Sequence, residues 1–161
     1  MPNSTNSTSK SPTTTRRDPL PTFCFKVIFD GADMQAFFKS VGGLKFETEA
    51  VPVREGGVND TTFMLVGATK WSPIVLKNGF TNGSRLLQWR QAWILGSEMI
   101  RLSGSIIQLD TALKDKAVWR FNRAWPSKWE LGELDASKNE LSIETLELTH
   151  EGLSYQATEL E

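Results

Sequence analysis

From Phe23 to Asp30 apolar side chains recur at every second position: Phe23, Phe25, Val27 and Phe29 share one side, Cys24, Lys26 and Asp30 the other, with Ile28 the apolar exception. A period of two is the signature of a half-buried strand. After the short apolar piece Ala36–Val41 and the Gly42–Gly43 turn, Leu44, Phe46 and Thr48 alternate with Lys45, Glu47 and Glu49, predicting a second strand over Leu44–Arg54. Its phase slips at Ala50–Val51 and resumes at Val53. Pro52 between them lacks the ladder donor that a central strand needs, so a bulge or a sheet edge is expected there. EGGVND (Glu55–Asp60) is a loop signal, and strands follow at Thr61–Val66 and Ile74–Lys77, with turns at Asn78–Gly79 and Asn82–Gly83.

One stretch changes period. Ser84–Leu95 places Leu86, Leu87, Trp89, Trp93 and Ile94 on an arc of about 160°, with Ser84 available as a cap and Gly96 placed for a left-handed stop. Arg90 falls inside the arc, so its stem is expected along the apolar face with the guanidinium reaching outward. Beyond it the pattern returns to strands: Arg101–Asp110 and Ala117–Trp125 as a hairpin around the charged turn Lys114–Lys116, then Glu140–His150 with a bulge near Thr145. About seven strands, one helix and no strand–helix alternation predict a mainly β, antiparallel sandwich or barrel-like domain.

Length and composition narrow the picture. The chain has 161 residues, 23% charged and 39% apolar, which fits a single domain. Residues 1–22 are Ser, Thr, Asn and Pro almost throughout and read as a flexible arm; 23–161 form the globular domain, long enough to bury about 68% of its unfolded surface without staples. A net charge of −1 offers no basic field for nucleic acid, no run of apolar residues is long enough to span a membrane, and no apolar leader marks secretion. One cysteine and one histidine make neither an internal disulfide nor a Cys/His zinc site.

Candidate chemistry is sparse. His150, beside Glu151, is the single proton shuttle available near neutral pH, and Cys24 is an alternating strand residue. The acidic pairs Glu47/Glu49 and Glu144/Glu147 have the form of glycosidase carboxylates but equally that of solvated strand faces. No phosphate loop, nucleophile elbow or zincin motif occurs. No catalytic residue, cofactor or metal is therefore assigned. Of six tryptophans, Trp89, Trp93 and Trp119 follow core periodicity, while Trp125 and Trp129 bracket a Pro-Ser-Lys turn in AWPSKW and suit a subunit contact as well as a core. Long strands, Pro-bearing edges and no chemical site fit a building block whose sheet edges are completed by further copies of itself.

Five stretches carry a family likeness: FCFKVIFDG, FFKSVGGLKFETEAVPVREGGVND, IVLKNGFTNGSRLLQW, WRFNRAWPSKW and NELSIETLELTHEGL. Over about residues 20–155 the chain resembles the tail-tube (inner tube) proteins of contractile phages and extracellular contractile injection systems. Phe38–Leu44 meets the family's F-x-x-V-x-G-L turn, Arg54–Asn59 its R-E-G-G-x-N loop, Ile74–Gly79 its I-x-L-K-x-G strand, and Trp89 its helix tryptophan. Arg123–Pro126 approximates its N-A-W/F-P element, with Arg123 where the family often has Asn.

The resemblance implies a protomer that forms a hexameric ring with a continuous inner β-barrel. Rings stack into a hollow tube inside a contractile sheath and convey cargo through a target envelope. The implied partners are other copies of the chain, the sheath protein, baseplate hub or spike and tube-capping proteins, and cargo in the lumen. Assembly is expected in the bacterial cytoplasm. The loop Pro52, Arg54, Glu55, Gly56, Gly57, Val58, Asn59 and Asp60 is expected to reach neighbouring protomers, its glycines permitting unusual backbone and its polar residues meeting groups across the contact. Candidate lumen-facing residues are Lys45, Glu47 and Glu49, or Ser142 and Glu144. A baseplate-proximal adaptor ring is the nearest alternative within the family; a carbohydrate-binding β-sandwich using its tryptophans is the rival outside it, and an enzyme comes third.

Overall fold

The computed structural model describes residues 24–54, 56–57, 61–81, 83–137 and 141–156; the N-terminal arm proposed for 1–22 lies outside them. The alternating segments are strands, in the order β1 (Cys24–Phe29), β2 (Met34–Gly42), β3 (Phe46–Val53), β4 (Phe63–Trp71), β5 (Ile74–Thr81), helix α1 (Arg85–Leu95), β6 (Leu102–Leu109), β7 (Asp115–Leu131), β8 (Leu141–Thr149) and β9 (Gly152–Gln156). Every pairing is antiparallel. The order β6-β1-β2-β5-β8-β7 closes on itself through a β6–β7 pairing, giving a six-stranded barrel that removes most open edges.

Inward positions follow the period of two. Val27 and Phe29 from β1, Ala36 and Phe38 from β2, Ile74 and Leu76 from β5, Ile106 from β6, Phe121 from β7, and Ile143, Leu146 and Leu148 from β8 are all buried in one core. Gly79 belongs to this layer for lack of a side chain: a Cβ there would lie 2.3 Å from the Phe38 ring. α1 completes the core with Leu86 and Trp89, the Trp89 ring meeting Phe29 at 5.2 Å between centroids and Phe29 in turn meeting Phe121 at 5.7 Å. The Nε1 of Trp89 donates to the Ile100 carbonyl at 2.8 Å, and that of Trp93 to the same oxygen at 3.0 Å, which folds the segment after the helix back along it.

β7 is long enough to serve two neighbours along one edge. Its first half pairs with β9 (Val118↔Gln156 to Asn122↔Gly152) and its second with β8 (Trp125↔Thr149 to Leu131↔Ile143). The change of partner coincides with a register shift against β6 and with Arg123 at φ 49°. Arg123 Nε is 2.9 Å from a Glu151 carboxylate oxygen, and Arg101 meets the same carboxylate, so two cations brace the corner where β8 ends and β9 begins.

Several sequence expectations change on the scale of a few residues. Ala36–Val41 lies within a full strand, and β9 extends the sheet beyond the seven strands expected. Asn78–Gly79 is no turn but the middle of β5, where Asn78 takes φ 52° while pairing continues on both sides. The hairpin turn falls at Asp110–Lys114, where Asp110 Oδ1 accepts from the amides of Ala112 and Lys114, rather than at Lys114–Lys116. AWPSKW is no turn either: it continues β7, with a register shift between Pro126 and Lys128. Ser84 makes no side-chain cap; its hydroxyl instead accepts from Gln88 Nε2 at 3.3 Å. Ile94 turns out to solvent, narrowing the apolar stripe of α1 to Leu86, Trp89 and Trp93. Gly96 ends the helix at φ 66°, as its position predicts. The bulges expected in the second and last strands are both present, between Thr48 and Ala50 and opposite Thr145.

Candidate assembly surfaces

β3 and β4 stand apart from the barrel: they pair with each other and with no other described strand. The two strands form a ribbon arm with both outer edges open. At its root the Ser72 amide donates to the Lys45 carbonyl, and Phe46 packs on Trp71 at 5.4 Å. Trp71 in turn lies 5.8 Å from the ring of His150, which is buried. The two nitrogens of His150 sit 2.9 Å from the Ser72 carbonyl and 3.1 Å from the Gly152 carbonyl. His150 thus ties the arm's root to the β8–β9 corner. Both ring nitrogens face backbone acceptors, so the ring is placed as a structural tie and not as a proton shuttle.

Along the arm the chemistry changes. In the near half Glu47 opposes Lys70, and the hydroxyls of Thr48 and Thr69 are 2.9 Å apart. In the far half the pairs Ala50↔Val66 and Pro52↔Met64 share one face, and Val51↔Leu65 and Val53↔Phe63 the other. Val66 is 86% exposed, Met64 61% and Leu65 56%. A ribbon with apolar residues on both faces and no core of its own buries almost nothing in the isolated protomer. Of these residues the sequence marks Pro52 alone for a contact, with the loop beyond it, and not the exposed Val51, Phe63, Met64, Leu65 and Val66. The available signal was the run Phe63–Val66, four apolar residues without alternation, which in a two-stranded ribbon leaves neither face polar.

Of the residues assigned to the assembly loop, Pro52 and Arg54 lie at the far end of β3 and are exposed, and Gly56 and Gly57 form an exposed turn. Glu55, Val58, Asn59 and Asp60 lie outside the described residues. Trp125 and Trp129 sit elsewhere, half-buried on β7 beneath α1: Trp125 stacks on Trp93 at 5.3 Å and 22°, and the Arg90 guanidinium lies 5.8 Å over Trp129. Arg90 thus differs from the expectation that its guanidinium reaches outward: its charge lies over an indole face. The two sets of candidate lumen residues also separate. Lys45, Glu47 and Glu49 belong to the arm and its root, whereas Ser142 and Glu144 lie on the outer face of the barrel; all five are exposed. Cys24 is buried, and burial pushes its thiol above the ordinary value, away from nucleophilic use.

No described helix is long and apolar enough to cross a membrane, and no group of three or more metal-ligating side chains occurs among the described residues. No curated protein sequence matches the chain significantly. Among solved structures, a chain of the anti-feeding prophage baseplate, determined by cryo-EM with six-fold symmetry, is similar at a TM-score of 0.64 and 24% identity, over 98% of this chain and 99% of that one. A chain of the sheath–tube complex of the PVC extracellular contractile injection system in its extended state gives 0.61 and 23%, over 94% and 100%. The tube-terminating cap of the anti-feeding prophage gives 0.63 and 23%, over 88% and 93%. These similarities carry the fold: a closed barrel with one helix. With the motif order read from the sequence, a match to the family description over residues 21–154 settles kinship: the chain belongs to the family of the T4-like virus tail tube protein gp19.

Proposed function

We propose that six copies of this chain close into a ring and that rings stack into the inner tube of a contractile particle, through which cargo passes when a surrounding sheath shortens. The observation that carries this reading is the uncovered arm: two open edges and two apolar faces on a chain whose barrel is otherwise closed and whose family builds tubes. The loop Pro52–Asp60 at the arm's tip reaches neighbouring protomers, and strand edges are completed between copies. Sheath, baseplate and cap proteins are the outside partners, in keeping with the particles in which similar chains occur. Assembly takes place in the bacterial cytoplasm, and the chain's role is structural.

The lumen is assigned to the outer barrel face carrying Ser142 and Glu144, because Lys45, Glu47 and Glu49 share an arm whose far half needs covering. That face carries both signs of charge, with the exposed Lys39 and Lys77 on β2 and β5 beside Glu144, and it also holds the half-buried Phe37–Phe80 ring stack opposite Ser142. An adaptor ring at the baseplate is not favoured, the family being that of the tube itself. Four of the tryptophans have contacts within the protomer: Trp89 and Trp93 are held by Ile100, and Trp125 and Trp129 are engaged by Trp93 and Arg90.

Negative-stain microscopy of the purified chain tests the reading. Rings or tubes are expected; a species that remains monomeric at every concentration overturns it. Gly56→Trp sharpens the test, because a Cβ there meets nothing within 4 Å among the described residues. That variant should fold normally and fail to form tubes.

A further inference from the structure

The large exposed apolar side chains fall mainly into two groups. One is the arm, with Phe46, Val51, Phe63, Met64, Leu65 and Val66; the other is the end of α1 and the segment after it, with Ile94 59% exposed, Leu95 69%, Met99 59% and Ile100 53%. The second group is assembled by the fold. Gly96 turns the chain, and the bonds from Trp89 and Trp93 to the Ile100 carbonyl bring residues 97–100 back to the helix. Next to it is a groove of about 430 Å³ walled by Met34, Trp89, Ala92, Ile100 and Leu102, with the charged Asp30, Arg85 and Glu98 also in its wall. Two unlike apolar patches on one chain are what a head-to-tail ring requires, since each copy must offer a donor surface and a different acceptor surface.

Charge distinguishes the two. Arg101, Arg120, Arg123 and Lys128 all have acidic partners. Arg54, at the end of β3 beyond the arm's apolar half, and Glu98, within the second patch, have no ion-pair partner among the described residues and are exposed, as are several other charged residues such as Arg85; what sets these two apart is that each borders one of the two apolar patches and that their charges are opposite. We infer that the arm of one protomer seats on the Ile94–Ile100 patch of the next, its apolar far half against that surface and the adjoining groove, with Arg54 meeting Glu98 across the contact. The inference rests on the tube reading above and names the two surfaces that would build it.

The test is a charge exchange in the full chain, read as the assembled fraction by size-exclusion chromatography and microscopy. Arg54→Glu and Glu98→Arg should each lower that fraction about tenfold, by placing like charges together, and the double exchange should restore it to within about twofold. A second readout does not depend on folding of the charge variants. Met64→Cys combined with Met99→Cys should give, on mild oxidation of tubes, a ladder of covalent oligomers that neither single cysteine variant gives. Wild-type chain that forms no rings overturns the tube reading and this one with it. Wild-type tubes together with normally assembling single exchanges, or with an unrescued double exchange and no ladder, overturn the docking alone.

Discussion

Gly43 shows how a motif residue acquires its physical reason. It takes φ 75°, and a Cβ there would fall 1.9 Å from the Pro73 carbonyl oxygen. The G-L turn between β2 and β3 is therefore closed to any side chain. Gly43→Ala should cost more than about 2 kcal/mol through backbone strain and displacement of that carbonyl, seen as a melting temperature lower by at least about 5 °C. Arg123 is the opposite case, a long side chain held at φ 49°. Asn tolerates this left-handed region better, whereas the exposed pair with Glu151 returns little, and Arg101 still holds that carboxylate. Arg123→Asn should raise stability by about 0.5 kcal/mol in thermal unfolding. Cys24 carries a pH dependence: its folded value is raised above 9.0 by burial, so its contribution is fully present below the unfolded value and lost as pH rises through the folded one. Thiol-modifying reagents should leave native protein untouched at neutral pH, and unfolding should become easier under alkaline conditions.

At the scale of elements, the arm's rigidity depends on its root. Replacing His150 with Ala removes both contacts to backbone carbonyls and the packing against Trp71. The barrel core, which His150 does not build, should survive; amide exchange should quicken first in β3, β4 and the β8–β9 corner. Strand identity was legible here because alternation marks one buried face, as in β1 and β6. It was poorly legible where that cue fails. β9 has little burial to announce it, β7 runs through a Pro-containing stretch that reads as a turn, and Asn78–Gly79 carries turn residues inside a strand paired on both sides. The arm's tip was visible as a Gly-Gly loop. Its apolar shaft was not, because a hydrophobic strand is ordinarily a sign of the core.

For the molecule as a whole, the lumen assignment can be checked by access. A cysteine placed at Ser142 should react with a small maleimide in both protomer and tube, but with a bulky polymer-linked maleimide only in the protomer; equal access to the bulky reagent in tubes would move the lumen to another face. A mainly antiparallel β domain with one helix and the tail-tube kinship could be read along the chain, because periodicity, turn chemistry and motif order are local properties. Closure of six strands into a barrel while two project from it, the seating of Trp125 and Trp129 under α1, and the gathering of Ile94 to Ile100 into a second apolar patch came only with the folded molecule. These outcomes depend on pairings between residues far apart in the chain, which fix which apolar faces find cover inside one protomer and which are left for another.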